Sequence, residues 1–375
     1  MSFTMENDKT VIWLHFHNFH IDLATRLKID LFPDCVIRSM DQFALYNKQD
    51  RNIVIYQFFF HEGSRDPAED FSWADLVIHY TNEIIVGPWP DYIKRVSSCF
   101  KNNNIITLAG GHRNCYDYPR DKAYLDLLTF FSTMADSITI ENRTMPSQKE
   151  KYFDVLLGTA KPHRVYLLDK IRKHGLEDRC LINMTKDIYK DEYNHDQFNY
   201  RSKDMDQYED PAVIPQTQIP GFGSMETVRG MSNGYNLSQH VPNKIYQNCW
   251  YSVIAETNAS GSTFFTEKTA KCLMAKRVFV FFGSHGQLAK LRDHGYKTFD
   301  PVIDESYDNV EDNVERWNMA FNQMLILFKK DAVSIYNSLE TVLEHNYSVI
   351  NDQKSRLTKL KLWIDKAIND TKLCP

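Results

Sequence analysis

The sequence predicts a doubly wound α/β protein built from two such units in tandem. Three observations carry this. Apolar runs of strand length recur as far as residue 140, separated by helical or loop stretches. A polar segment, Met145-Pro-Ser-Gln-Lys-Glu150, then has linker composition, and the alternation restarts after it. Finally, residues 264–308 place a charged helix start, a buried strand and a glycine turn in quick succession. Runs that are apolar throughout belong to parallel strands covered on both faces by helices.

In order, Thr10 to Phe16 (TVIWLHF) reads as a buried strand, followed by Asn52 to Phe60, Ala74 to His79, Asn104 to Leu108 and Ser137 to Ile140. Pro90 to Cys99 and Asp121 to Met134 are the helical or loop stretches between them. The second unit opens with a strand at Tyr152 to Leu157, a loop at Gly158 to His163, and a helix from Arg164 to Lys173 stopped at His174-Gly175. Pro162 suits the first turn of that helix, where a missing N–H costs nothing. Arg179 to Met184 is a further strand. From Asp187 to Asn243 the pattern fails, and so long an irregular stretch is expected to be a functional loop or lid. Asn243 to Ile254 restores a helix and a strand. Ser262 or Thr263 is expected to cap the helix that carries Glu267 and Lys268 in its first turn. Val278 to Phe282 is a strand, Gly283-Ser-His-Gly286 turns the chain into another helix, and Gly295 stops it. Beyond Asp308 three helices follow, over Val310 to Phe328, Ala332 to His345 and Ser355 to Ile368. The expected organisation is 1–147, 148–308 and a helical 309–375.

A length of 375 residues exceeds the usual single core. The net charge of −5 gives no global pull toward nucleic acid or an anionic membrane. Seven cysteines are scattered at positions 35, 99, 115, 180, 249, 272 and 374, which suggests neither a disulfide framework nor a zinc site. A reducing, cytoplasmic setting is expected, with no signal peptide and no apolar run long enough to span a bilayer.

Two places can meet the needs of a bound diphosphate, which are positive charge, exposed N–H donors and little side-chain bulk. One is Gly158 to Arg164, where Lys161, His163 and Arg164 enter a helix. The other is Thr266 to Lys268 with the Gly283 to Gly286 turn. Cations at a helix start oppose its dipole unless an anion sits there. The plainer alternative is an ordinary i,i+4 pair of Glu267 with Lys271 and a solvated Lys268.

Ala255-Glu-Thr-Asn258, then Phe265-Thr-Glu-Lys268, a helix and the VFVFFG strand resemble the donor-binding signature of the α-1,3-fucosyltransferase family. The Lys161-Pro-His-Arg164 helix start resembles that family's upstream arginine segment. KPHR…LLDKIRKHGL with FFTEKT…LRDHGYKTFD…DESYD is similar to fucosyltransferase-like proteins encoded by phages and bacteria. The resemblance spans roughly residues 152 to 308. It implies two Rossmann-like domains facing a cleft, the architecture called GT-B, with the acceptor largely on the first and a nucleotide diphosphate sugar on the second. It implies that Arg164 and Lys268 neutralise the diphosphate; Lys161, Thr266 and Gly283 join them as donor-site candidates from the two helix starts and the glycine turn. Glu267 would accept from ribose hydroxyls, and Glu256 and Asn258 would shape the pocket floor. Thr257 separates Glu256 from Asn258, which the family usually keeps adjacent, so the donor stays open between GDP-fucose and another GDP- or UDP-sugar.

The reading is therefore an inverting, metal-independent glycosyltransferase acting on a hydroxyl acceptor, in the cytoplasm, that of a bacterial host if the chain is phage-encoded. Asp204-Met-Asp206, which resembles a metal-holding acid pair, reads more simply as a solvated loop. Inverting transfer needs a base for the acceptor's proton. Candidates follow the first strands: His15 and His17, His61 and Glu62, Glu83, and His112 after Gly110-Gly111. Glu62 is the first choice and His112 the second. Two other readings stay open. The acceptor is a glycan or a hydroxymethylated pyrimidine in DNA, for which Lys151 to Lys190 holds nine basic against five acidic residues and Trp73, Trp89 and Tyr116 could stack a flipped base. A protein that binds a nucleotide or glycan without turnover is the rival of another class.

Overall fold

The computed structural model describes residues 9–16, 35–57, 69–84, 89–102, 104–113, 123–125, 151–185, 200–203, 241–260, 262–352 and positions 355, 358 and 362. It is a mixed α/β protein with parallel sheets, divided into one compact unit of residues 1–130 with 353–375 and another of residues 131–352.

The first unit contains β1 (Thr10–Phe16), β2 (Val36–Ser39), β3 (Arg51–Gln57), β4 (Leu76–Ile84), α1 (Trp89–Phe100), β5 (Ile105–Arg113) and β6 (Ala123–Leu125). The strands run parallel in the order β2-β1-β3-β4-β5, and β6 adds to β5. Successive residues point to opposite faces, yet Val11, Ile12 and Trp13 are all buried, as are Ile53, Val54 and Ile55. That is the behaviour of a sheet covered on both sides. Val11, Trp13, Val54, Tyr56 and Val77 pack with Val96 and Phe100 of α1. Inside this core the Trp13 indole N–H donates to Asn52 Oδ1 at 3.0 Å.

The second unit runs β7 (Lys151–Thr159), α2 (Pro162–Lys173), β8 (Cys180–Thr185), β9 (Tyr200–Arg201), α3 (Asn243–Asn248), β10 (Cys249–Ala255), β11 (Ser262–Phe264), α4 (Glu267–Met274), β12 (Phe279–Phe282), α5 (Gln287–Asp293), α6 (Asn313–Leu327) and α7 (Ala332–Asn351). Its sheet is ordered β12-β10-β7-β8-β9, parallel except for β9. Inside it, Asp154 of β7 and Arg277 form a buried ion pair at 2.9 Å. Ser252 donates to the same Asp154 oxygen at 2.8 Å, and the guanidinium also donates to the carbonyls of Tyr246 and Cys249. A charge pair this deep is tolerated because its donors find acceptors. No described helix is long and apolar enough to cross a membrane.

Several expectations shift. The cap of α4 is Thr266, not Ser262 or Thr263, because residues 262–264 are extended as β11 and only at Thr266 does the side chain accept from the helix, at Lys268 N. Within the Asp121 to Met134 stretch, residues 123–125 form β6. The strand expected at Ser137 to Ile140 lies outside the described residues, as do the Asp204–Asp206 pair and most of 187–243. Gly295, at φ +88°, does end α5, a conformation that glycine adopts without strain.

Candidate functional site

In the second unit the chain crosses from β7 through α2 to β8 on one side, while β10 and β12 lie on the other. The ends of β7 and β10 are therefore the switch point of the sheet, where connections diverge and a crevice opens outside the strand termini. Gly158 ends β7 with φ +63°, and a side chain there would start 3.7 Å from Arg164 Nη1. The chain then enters α2 through Lys161, which is extended and cannot cap; the first turn holds no acid and begins with proline. This helix start is built from cations with no anionic side chain of its own.

Those cations reach across to β10. Arg164 Nη2 donates to the carbonyls of Ala255 and Glu256, each at 3.0 Å. Lys161 Nζ donates to the Thr257 carbonyl at 2.8 Å. His163 Nε2 lies 2.8 Å from the Glu256 carbonyl, which can only accept, so this nitrogen carries the proton. Burial first, then the Arg164 charge, lowers the His163 pKa to about 3, so the ring is neutral.

From the other side comes α4. The Glu256 carboxylate, fully buried, accepts from Thr266 N at 2.9 Å, Thr266 Oγ1 at 2.6 Å and Thr269 Oγ1 at 2.6 Å. One residue thus ties two helix starts together, its carbonyl holding α2 and its carboxylate holding α4. Next in the chain, Glu267 and Lys268 form a half-buried pair, with Lys268 Nζ 3.0 Å from Glu267 Oε1 and 3.2 Å from Thr266 Oγ1. Burial pushes the Glu267 carboxyl up, but Lys268 and Lys271 outweigh it and hold the pKa at about 2. Arg164 is drawn down to about 10, chiefly by burial and against the pull of Glu256 and Glu267, and stays cationic at neutral pH.

Among the described residues, the basic Lys161, Arg164, Lys268 and Lys271 outnumber the acidic Glu256 and Glu267 by two at the switch point. The arrangement suits a dianionic group such as a diphosphate.

Of the residues expected in a donor site, Lys161, Arg164, Glu256, Thr266, Glu267 and Lys268 are brought together here, and half-buried Asn258 follows on the same turn. Gly283 is different. A side chain on it would meet Gln287 and Phe281 at 2.4 Å, and its carbonyl accepts from buried Arg316 Nε at 3.0 Å. The turn after it is served by the protein's own groups: Ser284 N donates to Gln287, Gly286 N to the Asp308 carbonyl, and Leu288 N and Ala289 N to the Asp308 carboxylate. These N–H groups are committed and not offered to an anion. Thr269 and Asp308 were missed because nothing in local spacing marks their partners, while Lys271 was read only as the i,i+4 partner of Glu267, which it also flanks here.

Glu62, His17 and His61 lie outside the described residues. His15 stands near the carboxyl end of β1, Glu83 on β4 and His112 on β5.

No protein-family model and no curated protein matches this chain. A solved structure titled "Crystal Structure of alpha1,3-Fucosyltransferase" is similar at 12% identity, over 92% of this chain and 93% of that one, with a TM-score of 0.31. A likeness of that degree is too distant to carry a conclusion about chemistry.

Proposed function

We propose that the protein is a glycosyltransferase that holds the diphosphate of a nucleotide sugar at the β7–β10 switch point. The sugar passes, with inversion and without a metal ion, to a hydroxyl acceptor such as a glycan. The observation that carries this reading is the excess of basic over acidic side chains, among the described residues, where two helix starts meet on Glu256. The ordered motifs that resemble the α-1,3-fucosyltransferase donor signature support it, since Arg164, Glu256, Glu267 and Lys268 from those motifs are assembled there.

In the reaction the acceptor oxygen attacks the anomeric carbon opposite the diphosphate. The carbon–oxygen bond to the diphosphate breaks, its electron pair leaves with the phosphate, and the acceptor's proton passes to a base, for which Glu62 and His112 are the candidates. Lys161 and Lys268 meet the charge that grows on the leaving oxygen, and Arg164 adds its field from behind them. They supply what a metal ion supplies in other transferases. Glu267, kept ionised by its lysines, is an acceptor for donor hydroxyls.

The test compares wild type with Lys161→Ala and Lys268→Ala for nucleoside diphosphate affinity and for slow hydrolysis of sugar nucleotides. Losing one charge-assisted hydrogen bond is expected to weaken affinity by about tenfold or more. Equal affinity in all three proteins sinks the site, and binding with no turnover of any sugar nucleotide favours the non-catalytic reading.

A further inference from the structure

Three successive residues of α6 touch the elements that carry the cation cluster. Trp317 packs against His163 and Tyr166 of α2, with ring centroids 5.9 and 5.8 Å apart, and Asn318 Oδ1 accepts from Lys170 Nζ at 2.9 Å. Arg316, 2% exposed, reaches instead to the turn after β10 and to the end of β12. All five N–H groups of its guanidinium find oxygens. Nε donates to the Gly283 carbonyl at 3.0 Å, Nη1 to the Val310 and Glu311 carbonyls at 2.7 and 3.1 Å, and Nη2 to the Ala259 carbonyl at 2.8 Å and to Asn313 Oδ1.

Each of those acceptors is neutral, and no described carboxylate forms an ion pair with Arg316. A buried cation so placed is a weak source of stability, since no opposite charge in contact offsets its desolvation. It does supply fixed geometry, because a planar fork of five donors defines where five oxygens sit. One of those oxygens belongs to the candidate site. The turn from Glu256 to Ala259 is gripped on the α2 side by His163 and Arg164 at the Glu256 carbonyl and by Lys161 at the Thr257 carbonyl, and on the α6 side by Arg316 at Ala259. Lys161 Nζ takes its position from Thr257, two residues before Ala259. A shift of the turn therefore moves that ammonium, and a displacement of about 1 Å is enough to weaken a positioned polar contact.

We infer that Arg316 is a positioning residue for the diphosphate site. It fixes the turn that places Lys161 and, being buried, does not itself meet the ligand. The inference rests on the diphosphate reading proposed above and adds a control point on a helix that the donor motifs do not include.

The experiment is a double-mutant cycle on the full chain: wild type, Arg316→Lys, Lys161→Ala and the double variant, each titrated calorimetrically with UDP, GDP and inorganic pyrophosphate at a temperature where the protein is folded. Lysine keeps the charge but lacks the planar fork. Arg316→Lys is expected to weaken the ligand that wild type binds best by about tenfold, and the double variant to bind within about twofold of Lys161→Ala alone, because Arg316 acts through Lys161. Should Arg316→Lys fail to fold, Asn313→Ala, which removes one of the five acceptors, is expected to show a loss of about threefold that likewise disappears in the Lys161→Ala background. A merely structural role predicts a lower melting temperature with the folded protein's affinity unchanged, and that result overturns the inference while the diphosphate site stands. Losses that multiply in the double variant overturn it too, since the two residues then act independently. No binding of any of the three ligands by wild type overturns the diphosphate site and this inference together.

Discussion

Glu256 works through both of its polar ends, and its neighbour in space, His163, works through one. Replacing Glu256 by alanine leaves Thr266 and Thr269 hydroxyls and a backbone N–H buried without their acceptor. Each such loss is expensive in a dry interior, and a total on the order of 3 kcal/mol or more is expected by chemical denaturation. Glu256→Gln should cost less, since one oxygen still accepts. His163 makes a pH prediction with a definite sign. Its folded pKa, about 3, lies below its unfolded value near 6.5, so its neutral form contributes stability that is present above pH 6.5 and lost as pH falls toward 3. From pH 7 to pH 5 this one residue should remove about 2 kcal/mol of stability. His163→Gln, which keeps a donor near the Glu256 carbonyl but cannot titrate, should flatten that part of the stability curve.

Elements meet this site at their ends, and those ends are where sequence and structure differ most. α5 carries no cap of its own, since its N-cap is Gly286; Asp308, twenty residues on from Leu288, supplies the acceptors. Asp308→Ala should therefore cost about 1–2 kcal/mol, the range for a lost helix cap, while nucleoside diphosphate affinity stays unchanged. Weakened binding in that variant would place the Gly283–Gly286 turn in the site after all. The long apolar strands β1, β3, β7, β10 and β12 were legible because burial on both faces leaves an unbroken apolar run. β2 and β6, four and three residues long, carry too little pattern to read. The cap of α4 was misplaced because Ser262, Thr263 and Thr266 are chemically alike, and backbone extension through Phe264 decides among them. Cations at the two helix starts could be read locally. Their convergence on Glu256 could not, because it joins residues more than ninety positions apart.

At the scale of the whole molecule a net charge of −5 surrounds a cluster in which, among the described residues, basic side chains outnumber acidic ones by two. On the proposed function an anionic ligand would be held by that local field against the general repulsion, so salt should weaken binding. Raising ionic strength from 0.05 M to 0.5 M shortens the screening length to a few ångströms. A loss of several-fold in nucleoside diphosphate affinity is expected by titration, and no loss would show that the cluster's charge is not what binds. The route by which this unit assembles follows from its strand order. β7 and β8 are joined by one helix, but β10 pairs with β7 across a separation of 98 residues, as in the Ser252–Asp154 bond. Closing so long a loop costs entropy before any contact rewards it, and such pairings form late. Arg164, His163 and Lys161 find their carbonyl partners only when β10 docks. Nucleotide-binding competence should then return with the slowest phase of refolding, after β7, α2 and β8 have already regained their structure.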